Sequence, residues 1–330
     1  MAEPVLEMRG VTKRFRVSGE NSLFGKTFAA VRAVSLKVMP GETFGIVGES
    51  GCGKTTLVRL LMCIERPTSG QILFQGSRID DIRESRRKAL RPRFQMVFQD
   101  SGSSLNPRKR VADILREPML YHGILEAKDA DNRVGELLEQ VGLTPAMRDR
   151  YPHEFSGGQR QRICIARALS LSPDVVILDE PVSALDVSVQ AQILNLLREL
   201  QERLGLTYVF IGHGLGAVHY MSHRIAVMYM GRVVEMGPSD TLFDRPAHPY
   251  TKALLDAAPV ADVTLRDRKR VQMAGELDAQ AARDGCPLLP RCPYARKDCQ
   301  RGGVELKEVD GRQTACARML EMSNNLRGDR

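Results

Sequence analysis

The 330-residue chain contains no apolar stretch that approaches the roughly 18 residues needed to cross a bilayer as a helix. Any route through a membrane must therefore come from partners. Its first residues, Met1-Ala2-Glu3-Pro4-Val5-Leu6-Glu7, carry no basic and apolar signal pattern, so the expected location is cytoplasmic. No internal repeat is present, which predicts one functional unit per chain. The net charge of +8 raises the question of nucleic acid, yet the densest basic stretch, Arg83-Glu84-Ser85-Arg86-Arg87-Lys88 with Arg91 and Arg93, has no interleaved aromatics for base stacking. A solvated basic helix face, which also suits a cytoplasm-facing membrane surface, is the expectation, with no nucleic-acid partner. A 43% hydrophobic content is enough for one full core and a smaller appended unit.

What is present begins with Gly48-Glu49-Ser50-Gly51-Cys52-Gly53-Lys54-Thr55, which fits G-x-x-x-x-G-K-[ST]. Thr43 to Val47 read as a buried strand and Thr56 to Met62 as a helix, so strand, loop and helix fall in the required order. Glycines 48, 51 and 53 let the backbone curl with its amides turned inward, and the following helix brings its positive end to the same place. Lys54 is expected to bridge the outer phosphates, and Thr55 to offer its hydroxyl to magnesium. Gly48, Glu49, Ser50, Gly51, Cys52, Gly53, Lys54, Thr55 and Thr56 are thus the candidate nucleotide contacts, Cys52 mainly through its backbone amide.

Asp174-Val175-Val176-Ile177-Leu178-Asp179-Glu180 reads as a central parallel strand that delivers two acids to the carboxyl edge of a sheet. Asp179 is expected to hold magnesium and Glu180 to polarise the attacking water, on the argument that a strand alternates its side chains between faces. Without the phosphate loop, an ordinary solvated turn accounts for the pair equally well. His213 follows the buried strand Thr207 to Gly212, where an imidazole can meet the terminal phosphate and the water. Gln99 carries a side-chain oxygen suited to magnesium. Ser156-Gly157-Gly158-Gln159 reads as a capped helix start, a second phosphate-facing helix end that cannot easily share one nucleotide with the loop at 48–55 within one chain. Together the segments imply ATP hydrolysis, with Glu180, His213 and Gln99 as candidate catalytic residues.

These residues resemble the ATP-binding subunits of ABC transporters, in which each ATP lies between the phosphate loop of one subunit and the signature segment of the other. The resemblance implies that Phe155 to Gln159 is the signature, Gln99 the glutamine loop, Ser183-Ala184-Leu185-Asp186 a loop at the dimer interface and His213 the switch histidine. Phe15 matches the position that stacks on adenine, a contact worth roughly 1 kcal/mol. Ser104-Leu105-Asn106-Pro107-Arg108, Ser183 to Gln192 and His248-Pro249-Tyr250-Thr251 resemble the oligopeptide and dipeptide importer branch, which includes nickel and glutathione systems. The implied partners are a second ATP-binding subunit, identical or paralogous, two membrane-spanning permease subunits and an external solute-binding protein, with this chain peripheral on the cytoplasmic face of the inner membrane. The departure is Gly214, where the family usually has an acid after the histidine. Soluble ABC-type ATPases of repair or translation carry long coiled coils or two nucleotide units, and neither is here; a regulatory subunit that binds ATP without hydrolysing it has only Gly214 in its favour.

The expected architecture is an α/β P-loop NTPase of the ABC type: a nucleotide-binding domain over 1–235 with a mainly parallel sheet and a helical subdomain at about 96–161, then an extension over 236–330. The helical subdomain is expected to dock on the membrane partner. In the extension, Cys286, Cys292, Cys299 and Cys316 are separated by five, six and sixteen residues. Disulfides are disfavoured in a reducing cytoplasm, zinc prefers pairs two to four residues apart, and unligated thiols remain open. The importer resemblance implies a 4Fe-4S site on these four, so the expected cofactors are ATP, Mg2+ and a 4Fe-4S cluster. Cys52, Cys63 and Cys164 are expected to pack in the core.

Overall fold

In the computed structural model, which describes residues 3–17, 26–258, 273, 285–301 and 305–317, the apolar runs become buried strands. Parts of the predicted extension, at 259–272, 274–284, 302–304 and 318–330, lie outside the described residues. The chain divides into two compact units, one of Met1–Glu7, Lys37–Thr43 and Ile72–Gly212, the other of Met8–Leu36, Phe44–Gln71 and His213–Arg330. Near the N-terminus the long strands Leu6–Val17 and Lys26–Val38 are neighbours, and Leu6–Val17 also borders Ser69–Phe74.

In the first unit Phe94–Val97, Val175–Asp179 and Thr207–Ile211 run parallel, with Phe94 beside Val175 and Val175 beside Thr207. Val175 to Leu178 and Thr207 to Ile211 are buried without interruption. Successive side chains point to opposite faces, so both faces are covered, which is why these strands read as apolar runs rather than alternations. Helix Val187–Leu204 ends at Gly205, whose φ of 65° is left-handed. Its Gln201 accepts from Thr43 Oγ1 (3.0 Å) and donates to the Gly41 carbonyl (3.0 Å), and the Tyr208 hydroxyl donates to the Leu197 carbonyl. In the helical region, Val111–Tyr121 buries Val111, Ile114, Leu115 and Met119, while Ala127–Gln140 buries Ala130, Val134, Leu137 and Leu138; each set forms one stripe at helical spacing. Arg116 ties the two helices by donating to Asp113 and Asp131 (2.6 and 2.9 Å). The basic stretch forms helix Glu84–Leu90, of which no residue is buried. No helix among the described residues is long and apolar enough to cross a membrane.

In the second unit Phe44–Val47 runs parallel to Arg224–Val227, and Arg232–Pro238 returns antiparallel to Arg224–Tyr229. A hairpin of Lys307–Val309 and Arg312–Thr314 extends this sheet, with Glu235 opposite Thr314 and Met236 opposite Gln313. Its turn, Asp310-Gly311, has φ of 48° and 74°, the doubly left-handed form that suits a two-residue hairpin.

The junction encloses a polar cluster. Glu235, with a fully buried side chain, accepts from the amides of Ala247 (2.8 Å) and His248 (3.0 Å) and lies 3.4 Å from Arg312 Nε, itself 1% exposed. Burial pushes the Glu235 carboxyl up, opposed by hydrogen bonds from Thr251 and the two amides and by the Arg312 charge. His248 caps helix Pro249–Ala257, its Nδ1 accepting from the Tyr250 amide at 3.1 Å, and also hydrogen-bonds the Ala315 backbone. Burial pushes the imidazole down to about 4. A base whose folded value lies below its unfolded value of about 6.5 takes its proton more readily when unfolded, so its contribution is lost as pH falls from about 6.5 towards 4. Chemical denaturation of the wild type beside His248→Gln is expected to show the wild type losing about 2 kcal/mol relative to the variant between pH 7.5 and 5. Parallel pH profiles would refute the assignment.

Candidate functional site

The phosphate loop lies in the second unit. Its backbone is left-handed at Gly48, Gly51 and Gly53, with φ of 156°, 78° and 110°. Gly53 caps helix Lys54–Leu61, and a Cβ there would stand 2.3 Å from the Ala30 carbonyl oxygen, so both its conformation and its surroundings require glycine. Lys54 is buried and folds across the loop, donating to the carbonyls of Gly48 (2.7 Å) and Glu49 (3.0 Å). Ser50 and Thr55 are exposed, Glu49 and Thr56 half-buried. Cys52 is buried, its thiol pushed up by burial, and its carbonyl accepts from the Gly231 amide at 2.8 Å. Glu49 is held by two residues from far along the chain: its amide donates to the Tyr250 hydroxyl (2.9 Å), and its carboxylate pairs with Arg291 (3.3 Å). Phe15, also in this unit, is half-buried with Lys13 Nζ 5.1 Å from its ring centre. His213 is exposed, just before helix Leu215–Met221, whose cap is Gly214 with no side-chain bond. Glycine is a serviceable cap, so losing an acid there costs this helix only a few tenths of a kcal/mol.

The remaining candidates lie in the first unit. Asp179 is the last residue of its strand, and Glu180 follows with a φ of 49°. The Glu180 amide donates to the Ile211 carbonyl (2.9 Å), and its own carbonyl accepts from Ser183 N (3.2 Å) and Oγ (3.1 Å). The chain therefore turns at Glu180, directly after its strand ends at Asp179. Such a conformation for a non-glycine residue costs on the order of 1 kcal/mol and persists because its surroundings fix it. Ser156 and Gln159 form a reciprocal cap at helix Gly157–Leu169: Ser156 Oγ accepts from the Gln159 amide (3.3 Å), and Gln159 Oε1 accepts from the Ser156 amide (3.1 Å). Gly157 and Gly158 open the helix, Phe155 before it is buried, and Gln99 is exposed two residues beyond strand Phe94–Val97. Ser183, Ala184 and Asp186 are exposed.

The four tail cysteines correct an expectation. Cys286, Cys292, Cys299 and Cys316 line one pocket with Leu288, Leu289, Ala295 and His248. Yet among the described residues no group of three or more His, Cys, Asp or Glu side chains is placed to hold a metal ion, which overturns the 4Fe-4S assignment. The pocket walls are largely apolar, and burial pushes the Cys286 thiol up to about 11. Cys164 is likewise pushed up to about 11 by burial, and Cys63 is buried.

A phosphate loop on the strand-to-helix turn of a parallel α/β fold defines a nucleotide-binding cassette. The ABC transporter family profile matches residues 31–183, and that of the oligopeptide/dipeptide transporter C-terminal region matches residues 234–299. The chain is 48% identical over 313 residues to the oligopeptide transport ATP-binding protein AppF of Bacillus subtilis, covering 93% of this chain and 94% of that one. It is 46% identical over 318 residues to the dipeptide transport ATP-binding protein DppF of Haemophilus influenzae, covering 95% and 96%. The glutathione import ATP-binding protein GsiA of Escherichia coli is 49% identical over 276 residues, covering 83% of this chain but 44% of that one. Among solved structures, an ATP-binding cassette dimer bound to ADP and Pi superposes with a TM-score of 0.63 at 27% identity, covering 71% of this chain and 98% of that one. The chain belongs to the ABC transporter ATP-binding protein family, in the branch that carries the oligopeptide/dipeptide transporter C-terminal region.

Proposed function

We propose that this chain is the ATP-hydrolysing subunit of an importer for oligopeptides or dipeptides, and that it works by closing with a second ATP-binding subunit on two ATP molecules. The observation that carries the reading is the phosphate loop itself, with left-handed glycines and a buried Lys54 bonded across it, in a chain matched over 93% and 95% of its length by peptide-transport ATP-binding proteins. Gly48 to Thr56 wrap the phosphates and Phe15 stacks on the base. Thr55, Gln99 and Asp179 present hard oxygen donors, the chemistry magnesium prefers, and bound magnesium would neutralise phosphate charge. Glu180 orients and polarises the attacking water, and His213 hydrogen-bonds the terminal phosphate. Ser156, Gly157, Gly158 and Gln159 serve the nucleotide of the neighbouring subunit through a helix N-terminus. The 1–235 segment is the nucleotide-binding domain, its helical part at about 96–161 docks on one of two permease subunits, and 236–330 is the extension. The protein then sits on the cytoplasmic face of the cell membrane, with solute delivered by an external binding protein.

The likeness to the glutathione import protein favours one second solute, which is itself a tripeptide. Reconstitution with its permease subunits and binding protein in vesicles, assayed with labelled dipeptide, oligopeptide, glutathione and Ni2+, distinguishes them. ATP-dependent uptake of dipeptide or oligopeptide is expected; uptake of Ni2+ alone, or no ATP hydrolysis, would overturn the proposal.

A further inference from the structure

Two parts of the tail converge on one residue of the phosphate loop. Tyr250, 1% exposed, packs its ring at a tilt of 54° against Tyr229, centroids 4.6 Å apart, and accepts the Glu49 amide proton at 2.9 Å. Arg291, whose side chain is 13% exposed, pairs with the Glu49 carboxylate at 3.3 Å and hydrogen-bonds the Tyr229 side chain. The Glu49 carbonyl is the third anchored group, accepting from Lys54 Nζ at 3.0 Å. Main-chain donor, main-chain acceptor and side chain of Glu49 are therefore each engaged, although the motif leaves this position free in residue type. Neither anchor is loosely attached. Tyr250 sits in the first turn of helix Pro249–Ala257, fixed by the His248 cap and through it by Glu235. The Arg291 amide closes a turn on the Leu288 carbonyl at 2.9 Å.

We propose that Tyr250 and Arg291 are positioning residues for the phosphate loop: by holding Glu49 from outside they keep the Gly48-Glu49-Ser50 turn in its nucleotide-ready shape, and so set the affinity for ATP without touching the reacting atoms. The inference rests on Gly48 to Thr55 being the ATP loop. A loop already held in its bound shape has less ordering left to do when the ligand arrives, which improves affinity without new contacts. Because the Glu49 amide is directed at Tyr250, the phosphates are left to the amides that follow it.

The test uses the full-length protein, titrated with a fluorescent ATP analogue, and its complex with the permease subunits assayed for steady-state hydrolysis. Tyr250→Phe keeps the packed ring and removes only the acceptor oxygen. It is expected to raise both Kd and KM about three- to tenfold while kcat stays within about twofold, as for loss of one hydrogen bond that serves ground and transition states alike. Arg291→Met should do the same, Arg291→Lys should recover part of the loss, and Arg291→Met with Glu49→Gln should lose less than the sum of the two. A merely structural role would lower thermal stability without this split between KM and kcat. Kd and KM within about twofold of wild type in both Tyr250→Phe and Arg291→Met would overturn the proposal while leaving the ATPase reading intact. Wild-type protein that binds no analogue would overturn both.

Discussion

Replacing Glu180 by Gln is expected to lower steady-state ATP turnover of the assembled complex by about a hundredfold or more, the usual contribution of a positioned general base, while leaving nucleotide binding in place. The substitution is nearly isosteric, and it changes one property: an amide cannot draw a proton from the attacking water. The backbone that aims the side chain is not disturbed, because the φ of 49° is fixed by main-chain bonds to Ile211 and Ser183 that either residue makes. The measurement is phosphate release at saturating ATP together with a binding isotherm. Turnover within about twofold of wild type would remove Glu180 from the chemistry and transfer the role to another group.

Arg312→Met is expected to destabilise the protein by about 3–5 kcal/mol at neutral pH, the usual cost of stranding one member of a buried ion pair. Arg312 and Glu235 are 1% and 0% exposed, 3.4 Å apart. Glu235 cannot simply be made apolar as compensation, since it also accepts the Ala247 and His248 amides. Glu235→Gln should destabilise the protein as well, because it keeps one acceptor for the two amides but leaves the buried Arg312 charge without this anion. The sign of the pH dependence checks the cause. With the arginine gone, the Glu235 carboxyl, already pushed up by burial, rises further, and an acid raised in the folded state gains stability as pH falls through its folded value. The deficit of Arg312→Met relative to wild type should therefore be smaller at pH 5 than at pH 7.5. Urea denaturation at both pH values decides it, and a deficit that grows on acidification would refute the buried-charge account.

Legibility in the sequence followed the strength of local signals. The parallel strands Val175–Asp179 and Thr207–Ile211 were readable because full burial leaves an uninterrupted apolar run, and the Ser156 cap because it is a local exchange between residues three apart. The left-handed turn at Glu180 was not, since nothing in Asp179-Glu180-Pro181 announces it. In the tail, the strands are three residues long, and Arg312 and Thr314 are buried although polar, so no hydrophobic period marks them. Asp310-Gly311, a two-residue hairpin signal, was the cue that could have found them. The partners of Glu49 lie about two hundred and more residues away in sequence, at Tyr250 and Arg291, and no spacing rule reaches that far. The cysteines misled for a related reason: four thiols near one another in the chain do not say whether they are placed to hold a metal.

The hairpin at 305–317 has one more consequence, for association between molecules. Among the described residues Lys307–Val309 is the outermost strand of its sheet, and it is short, with Lys307 and Glu308 exposed. A brief, charged border offers little template for a foreign strand. Behind it, Val233, Val234 and Met236 of Arg232–Pro238 are buried. A protein cut back before residue 305 would bare that apolar backbone rim, and it would be expected to leave solution as aggregates rather than remain a shorter, working cassette.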